Sequence, residues 1–543
     1  MKAGRAGLFM LPFLFIGCSE ETPGNEEASV EANNEEEENN EKDEKNKESN
    51  EESNSEVITP ESESLGNLSY TLLLNDEETS TVLDEEAVFP AQYTEIDGVL
   101  TFRGDHKRTS PSFGSVSFEE FTLQENWHFT TDSDPEWGGG AGWTGQPVIV
   151  KWEDDIKQMM NLKDEYKEKD DFIEVIQGSL DGNIYFLDKE TGKQTREPIY
   201  GSNPIKGSVS VDSRGYPLLY AGDGVPHKKS EPFGFNIYDL TNYELLHHID
   251  GRDSSAYRDW GAFDSSALVN RKTDMMVVGG ENGYFYSAKL NTEFDRKEGT
   301  VDIDPDVAKM RYEVDDNDYQ GIENSVAIYN NLAYFADNGG SIIGMDLTTK
   351  NPVWALPPLD DTDATIVIEE IEGVPYLYTG SEVDNVGEDG EAFIRKINGL
   401  TGEEVWKQSY SAFYYPGVIG GVLATPILGK ENIDDLVIFT VARHKERYSG
   451  IMAALDRETG EEVWRWEMPD YAWSSPVDIY DEEGNSYIIQ ADFGGNLTLL
   501  NAETGEVLDQ LNLGSNIEAS PAVYENTIIV ASRDGNIYSI ELK

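Results

Sequence analysis

Tandem self-similarity constrains this chain more than any other feature. The stretch ALDRETGEEVWRWE (454–467) puts an Asp three residues before a Thr-Gly pair and a Trp four residues after the Gly. The spacing recurs, whole or worn down, in GSLDGNIYFLDKETGKQ (178–194), FGFNIYDLTNYELL (233–246), GGENGYFYSAKLNTE (279–293) and DNGGSIIGMDLTTKNPVW (337–354). It continues in AFIRKINGLTGEEVW (392–406), SGIMAALDRETGEEVW (449–464), DFGGNLTLLNAETGEVL (492–508) and SRDGNIYSIELK (532–543). Eight copies at a period of about 50 residues indicate a ring or coil of supersecondary units, each burying its apolar face against its neighbours. A chain of 543 residues can then fold around one continuous series of cores.

Each part of the repeat has a local reason. Asp181-Gly182, Asn282-Gly283 and Asp534-Gly535 precede alternating apolar runs and supply the positive φ angles of tight hairpins. The next strand ends at an Asp or Asn able to accept backbone N–H groups. Gly192, Gly402, Gly460 and Gly505 then take the left-handed position that closes the turn. Trp406 and Trp464 fall on the outermost strand, where a large ring can cover the crevice to the next unit. Upstream lie SVSVD (208–212), SSALVN (265–270), NSVAIY (324–329), ATIVIE (364–369), ATPILG (424–429), SSPVDI (474–479) and ASPAVY (519–524). Their small and hydroxyl residues suit innermost strands that converge on an axis.

Together, the SxxV inner strand, the DG hairpin and DxxTGExxW resemble the repeat of the pyrroloquinoline quinone (PQQ) type β-propeller family. The resemblance runs from about residue 119 to the end and is strongest at the copies starting at 178, 392, 449 and 492. It implies an all-β, eight-bladed propeller of four-stranded antiparallel blades with tryptophans docked between them. The last copy stops after its third strand, whereas FTLQENWHFTT (121–131) precedes the first as an orphan strand, so this N-terminal strand is expected to complete the last blade. The expected divisions are a leader at 1–18, a disordered acidic tether at 19–65, an arm at 66–118 and the propeller at 119–543. Within the arm, Arg103 and Arg108 are expected to pair with acidic blade surfaces, and the RGD at 103–105 reads as a chance triplet. The insertion at 151–171 reads as a solvated loop with a helical turn.

The chain has 41 basic against 105 acidic residues, a formal charge of −64 that opposes phosphate binding and argues against nucleic-acid partners. Its single cysteine, Cys18, follows the apolar run AGLFMLPFLFIG, too short to span a bilayer, and the small Gly17 directly before it resembles a bacterial lipobox in which Phe15 replaces the usual Leu. A lipid-modified Cys18 and the acidic stretch behind it would hold the folded part clear of a membrane.

PQQ dehydrogenases of this family are implied to use a stacked quinone, a calcium held by Glu and Asn, a catalytic Asp and commonly a disulfide between adjacent cysteines. One cysteine cannot supply that pair. The histidines make no HExxH pattern, and no nucleophile elbow or phosphate-cradling loop stands out. DIDPD (302–306) and DDNDYQGIE (315–323) lack the distal Glu of a helix-loop-helix calcium site. Geometry points elsewhere, to the residues just before each innermost strand, which line the mouth of the central channel. These are Trp143, Asp264, Glu323, Asp363, Trp473 and Glu518, with Tyr414 and Tyr415 nearby. Carboxylates facing one funnel invite a cation, with Asp264 and Glu323 as the expected calcium ligands, and the aromatics offer stacking faces for a sugar or peptide ring.

The reading carried forward is a monomeric, noncatalytic, lipid-anchored extracytoplasmic propeller that binds or scaffolds an envelope protein or glycan. Calcium is its candidate ion, and the outer face of a cell membrane, Gram-positive in preference, is its place. The alternative is a PQQ- and calcium-dependent oxidoreductase.

Overall fold

In the computed structural model, Ser55–Lys543 forms one unit, and residues 57–58, 65–80, 82, 87–143, 145–226 and 232–543 are described. Cys18, the leader, most of the tether and His227 lie outside the described residues.

The eight sequence copies become eight sheets, numbered here as blades 1–8 in copy order and antiparallel apart from Ser112–Phe113, which joins blade 8 parallel to Ala522–Tyr524. Five have four strands, and blades 1, 3 and 8 carry additions. Blade 8 confirms the expected closure. Its strands Ala522–Tyr524, Thr527–Ala531 and Asn536–Leu542 are completed by Leu123–Thr130, which pairs antiparallel with Asn536–Leu542 in a register that sets Trp127 opposite Ser539. Reciprocal backbone bonds between Thr122 and Lys543, at 3.0 and 3.1 Å, seal the join.

The Asp–Thr-Gly–Trp spacing is a docking device between blades. In blade 1 the Asp188 carboxylate accepts from the Thr191 N–H at 3.1 Å and from its hydroxyl at 2.6 Å, which shapes the turn. Gly192 follows at φ +68, and a Cβ there would lie 2.5 Å from the Trp127 ring of blade 8. Trp354, Trp406 and Trp464 sit in the same way over Gly402, Gly460 and Gly505 of the following blade. Each indole N–H donates to a carbonyl of that turn: Trp127 to Lys189, Trp354 to Gly399, Trp406 to Arg457 and Trp464 to Ala502, at 2.8–3.1 Å. In blades 2 and 4, where Thr-Gly is missing, Tyr243 (φ 68) and Lys350 (φ 57) take the left-handed position instead.

The hydroxyls that open the inner strands tie neighbouring blades together around the axis. The backbone N–H of Ser266 donates to the Ser325 hydroxyl, Ser325 to Thr365, Thr365 to Thr425, Thr425 to Ser475 and Ser475 to Ser520, at 2.9–3.2 Å. A small polar side chain at this position therefore satisfies a buried donor that strand pairing leaves open.

The arm corrects one expectation. Arg103 and Arg108 do not pair with acidic blade surfaces; both are fully buried. Arg103 donates to the carbonyls of Pro476 and Pro426, and Arg108 to those of Val326 and Ser266. The carbonyls of several inner strands converge near the axis, and their combined partial negative charge holds the two guanidiniums. The RGD triplet is thus part of an internal plug. The insertion at 151–171 also departs from a solvated loop: it forms helices Asp154–Met159 and Asp164–Lys167, and Ile156, Met160, Leu162 and Tyr166 join the core of blades 1 and 2. Leu68–Leu74 extends blade 3 by pairing onto Asp306–Val314, and Glu77–Thr79 pairs in turn onto Leu68–Leu74.

Candidate functional site: an acidic and aromatic axial funnel

Three layers follow one another along the inner strands. The residues just before each strand line a funnel, the hydroxyls two residues further on tie the blades, and the next carbonyls meet the arm arginines. The arm therefore closes the funnel at its floor. The resulting cavity has a volume of about 470 Å³. Of the six residues that sequence spacing places at the mouth, Trp143, Asp363, Trp473 and Glu518 line this cavity. Asp264 and Glu323 join it through Lys206, itself a lining residue, whose ammonium lies 2.5 Å from Asp264 Oδ2 and 3.4 Å from Glu323 Oε1. Tyr414 and Tyr415 form a small hairpin with Val418–Ile419, and Ile419 lines the cavity.

The blades divide the funnel by chemistry. Blades 2–5 contribute Lys206, Asp264, Glu323 and Asp363 at the pre-strand position, whereas blades 6, 7, 8 and 1 contribute Leu423, Trp473, Glu518 and Trp143. On the second side Arg443 stacks its guanidinium 4.0 Å from the Tyr471 ring centroid and 5.1 Å from that of Trp473, and donates to the Tyr471 hydroxyl at 2.7 Å. Arg533 approaches Glu518 at 3.8 Å.

The acidic side holds two trios of carboxylates. In each, one oxygen per residue lies within 4.8 Å of the others: Asp264, Glu281 and Glu323 form the first, and Asp361, Asp363 and Glu382 the second. Two members of each trio occupy equivalent register positions, and the third differs: Glu323 precedes the inner strand of the next blade, whereas Asp361 lies two residues before Asp363. Asp264 and Asp363 each precede an inner strand, and Glu281 and Glu382 each follow the second strand of the same blade. Burial and mutual repulsion push these acids up, Asp264 to about 7 and Asp363 to about 8, with Glu281, Asp361 and Glu382 also raised well above the carboxylate range. Burial opposes the charge of Lys206, but Asp264, Glu323 and Glu281 outweigh it and keep the ammonium protonated.

Sequence spacing alone did not identify Glu281, Asp361, Glu382, Lys206 or Arg443. Glu281, Glu382 and Arg443 share one signal, in that each follows the second strand of its blade, one or two residues past the end. Among the described residues no helix is long and apolar enough to cross a membrane.

Comparison with known proteins agrees with this architecture. The family model described as outer membrane protein assembly factor BamB matches residues 448–543. The quinoprotein alcohol dehydrogenase PedH of Pseudomonas putida is 26% identical over 144 residues, 26% of this chain and 21% of that protein. The outer membrane protein assembly factor BamB of Burkholderia pseudomallei is 26% identical over 203 residues, 37% of this chain and 46% of that protein. These matches span less than half the length of either relative. The solved quinohemoprotein alcohol dehydrogenase from Comamonas testosteroni superposes with a TM-score of 0.54 at 14% identity, covering 82% of this chain and 80% of that one, and so shares the fold. The chain folds as an eight-bladed β-propeller whose repeats are similar to those of the PQQ type.

Proposed function

We propose that this propeller is a noncatalytic binding or scaffold protein of the cell envelope, held to the outer face of a membrane through lipidated Cys18, and that its axial funnel receives an envelope protein or glycan. The observation that carries the reading is the pairing, in one cavity of about 470 Å³, of a carboxylate trio whose buried oxygens lack partners with tryptophans that offer stacking faces. The printed name of the BamB relative, an outer membrane protein assembly factor, supports an envelope setting. The preference for a Gram-positive membrane rests on the acidic, Asn-rich tether and Ser19.

A cation is part of this reading. Calcium at Asp264 and Glu323 would have to displace the Lys206 ammonium, whereas Asp361, Asp363 and Glu382 have no Lys, Arg or His within ion-pairing distance among the described residues. The second trio is therefore the better seat for a positive charge. The same unpartnered oxygens keep the alternative in view, since they suit the calcium of a PQQ-dependent oxidoreductase, with Asp361, Asp363 and Glu382 as its holders.

Affinity capture of the full chain from its native membranes, with the wild type beside Trp473→Ala and Glu382→Gln, tests the binding reading. Loss of a captured component in both variants supports it; capture unaffected by either refutes it. Addition of PQQ and calcium, followed by absorbance and dye reduction, tests the alternative, and turnover there would replace the noncatalytic reading.

A further inference from the structure

We propose that the Asp361–Asp363–Glu382 trio seats the primary ammonium group of a ligand, and that this ligand is an amino sugar with its amine free. The inference rests on the funnel as binding site and names what it binds.

The first trio is the internal precedent. Two of its carboxylates, Asp264 and Glu323, pair with a primary ammonium supplied by the chain itself, Lys206, and Glu281 lies beside them. The second trio repeats two of these positions two blades further on, with Asp363 and Glu382 matching Asp264 and Glu281 and Asp361 as its third member, without such a group among the described residues. Glu382 is only 3% exposed, and its Oε1 has no hydrogen-bond partner; Asp361 Oδ1 and Asp363 Oδ1, on half-buried residues, also lack one. Three acceptors this close match the three N–H donors of an ammonium.

The opposite wall narrows the choice of ligand. The indole N–H groups of Trp143 and Trp473 are buried without a partner, so a ligand that fills the cavity should bring acceptor oxygens as well as a positive charge. A divalent ion would satisfy the carboxylates and leave both indoles unpaired. A quaternary ammonium has no N–H to donate. A lysine side chain offers an ammonium and an apolar stem but no acceptor. An amino sugar offers an ammonium, hydroxyl acceptors and a C–H face for the tryptophan rings. Arg443, stacked on Trp473, disfavours a second cation on that side and orients the charged end toward the trio.

Calorimetric titration of the full chain with glucosamine, which carries a single ammonium, with N-acetylglucosamine, cadaverine and calcium chloride tests this. Glucosamine is expected to bind, and acetylation, which removes the charge, to weaken binding at least about tenfold. Glu382→Gln should weaken it by about tenfold or more while the thermal unfolding midpoint is retained, and Trp473→Phe, which keeps a ring but removes the N–H, by about two- to tenfold. Equal binding of both sugars, or cadaverine binding as tightly as the free amino sugar, would overturn the assignment. Calcium binding that Glu382→Gln abolishes, with no response to the amino sugar, would make the trio a metal seat and also overturn it. In either case a capture from native membranes that still depends on Trp473 would leave the funnel reading standing, whereas capture independent of the funnel would remove that reading itself.

Discussion

Gly402 and Gly373 have nearly the same backbone, φ +75 and +82, but different surroundings. A Cβ on Gly402 would lie 2.8 Å from the Trp354 ring, and one on Gly373 would meet nothing within 4 Å. Gly373→Ala should therefore cost only left-handed strain, about 1–2 kcal/mol, and Gly402→Ala that strain plus displacement of a docked tryptophan, about 2–5 kcal/mol in all. Chemical denaturation of the two variants checks this, and equal losses would contradict the docking role. Asp363 gives a second residue-level expectation. Burial and Glu323 raise it in the folded protein to about 8, from about 3.9 for an unfolded Asp. Between those values the folded state binds more protons than the unfolded state, so this group's contribution to stability falls as pH rises. Asp363→Asn should thus come closest to the wild type in melting temperature near pH 4 and exceed it by a margin that grows up to about pH 8 in ligand-free protein; parallel curves would contradict the raised carboxyl. Trp354 and Gly402 were legible because their spacing repeats along the chain. Glu281 and Glu382 were not, because a lone carboxylate after a strand looks like any hairpin residue until the ring brings it beside others.

Strands and turns follow local chemistry in most blades, which is why the DG hairpins, the inner strands and the closing role of Leu123–Thr130 could be read from the sequence. Two elements could not. Leu68–Leu74 pairs with Asp306–Val314 through backbone bonds to an open edge, and such pairing across a long stretch of chain leaves no side-chain pattern. The arm binds through arginine donors to main-chain carbonyls, partners that a sequence does not display. Deleting residues 119–131 should expose the edge of Asn536–Leu542 and remove Trp127 from Gly192. The expected outcome is a lower melting temperature together with concentration-dependent association, measured by scanning calorimetry and light scattering. A monomer with unchanged melting would contradict closure by this strand.

At the scale of the molecule, the ring turns a linear repeat into a site that no single blade contains. Each blade contributes one pre-strand side chain to the funnel, and the unequal distribution of acids and tryptophans around the axis gives it two chemically different walls. A formal charge of −64 adds a long-range attraction for cationic ligands that weakens with salt. The most direct measurement places a photo-crosslinking amino acid at Glu518, in the funnel, or at Val463, exposed on an outer strand, and irradiates the full chain in its native cells. The account predicts a discrete adduct at position 518 that disappears with Glu382→Gln and has no counterpart at 463. Adducts at 463 alone, or at 518 irrespective of Glu382, would contradict it.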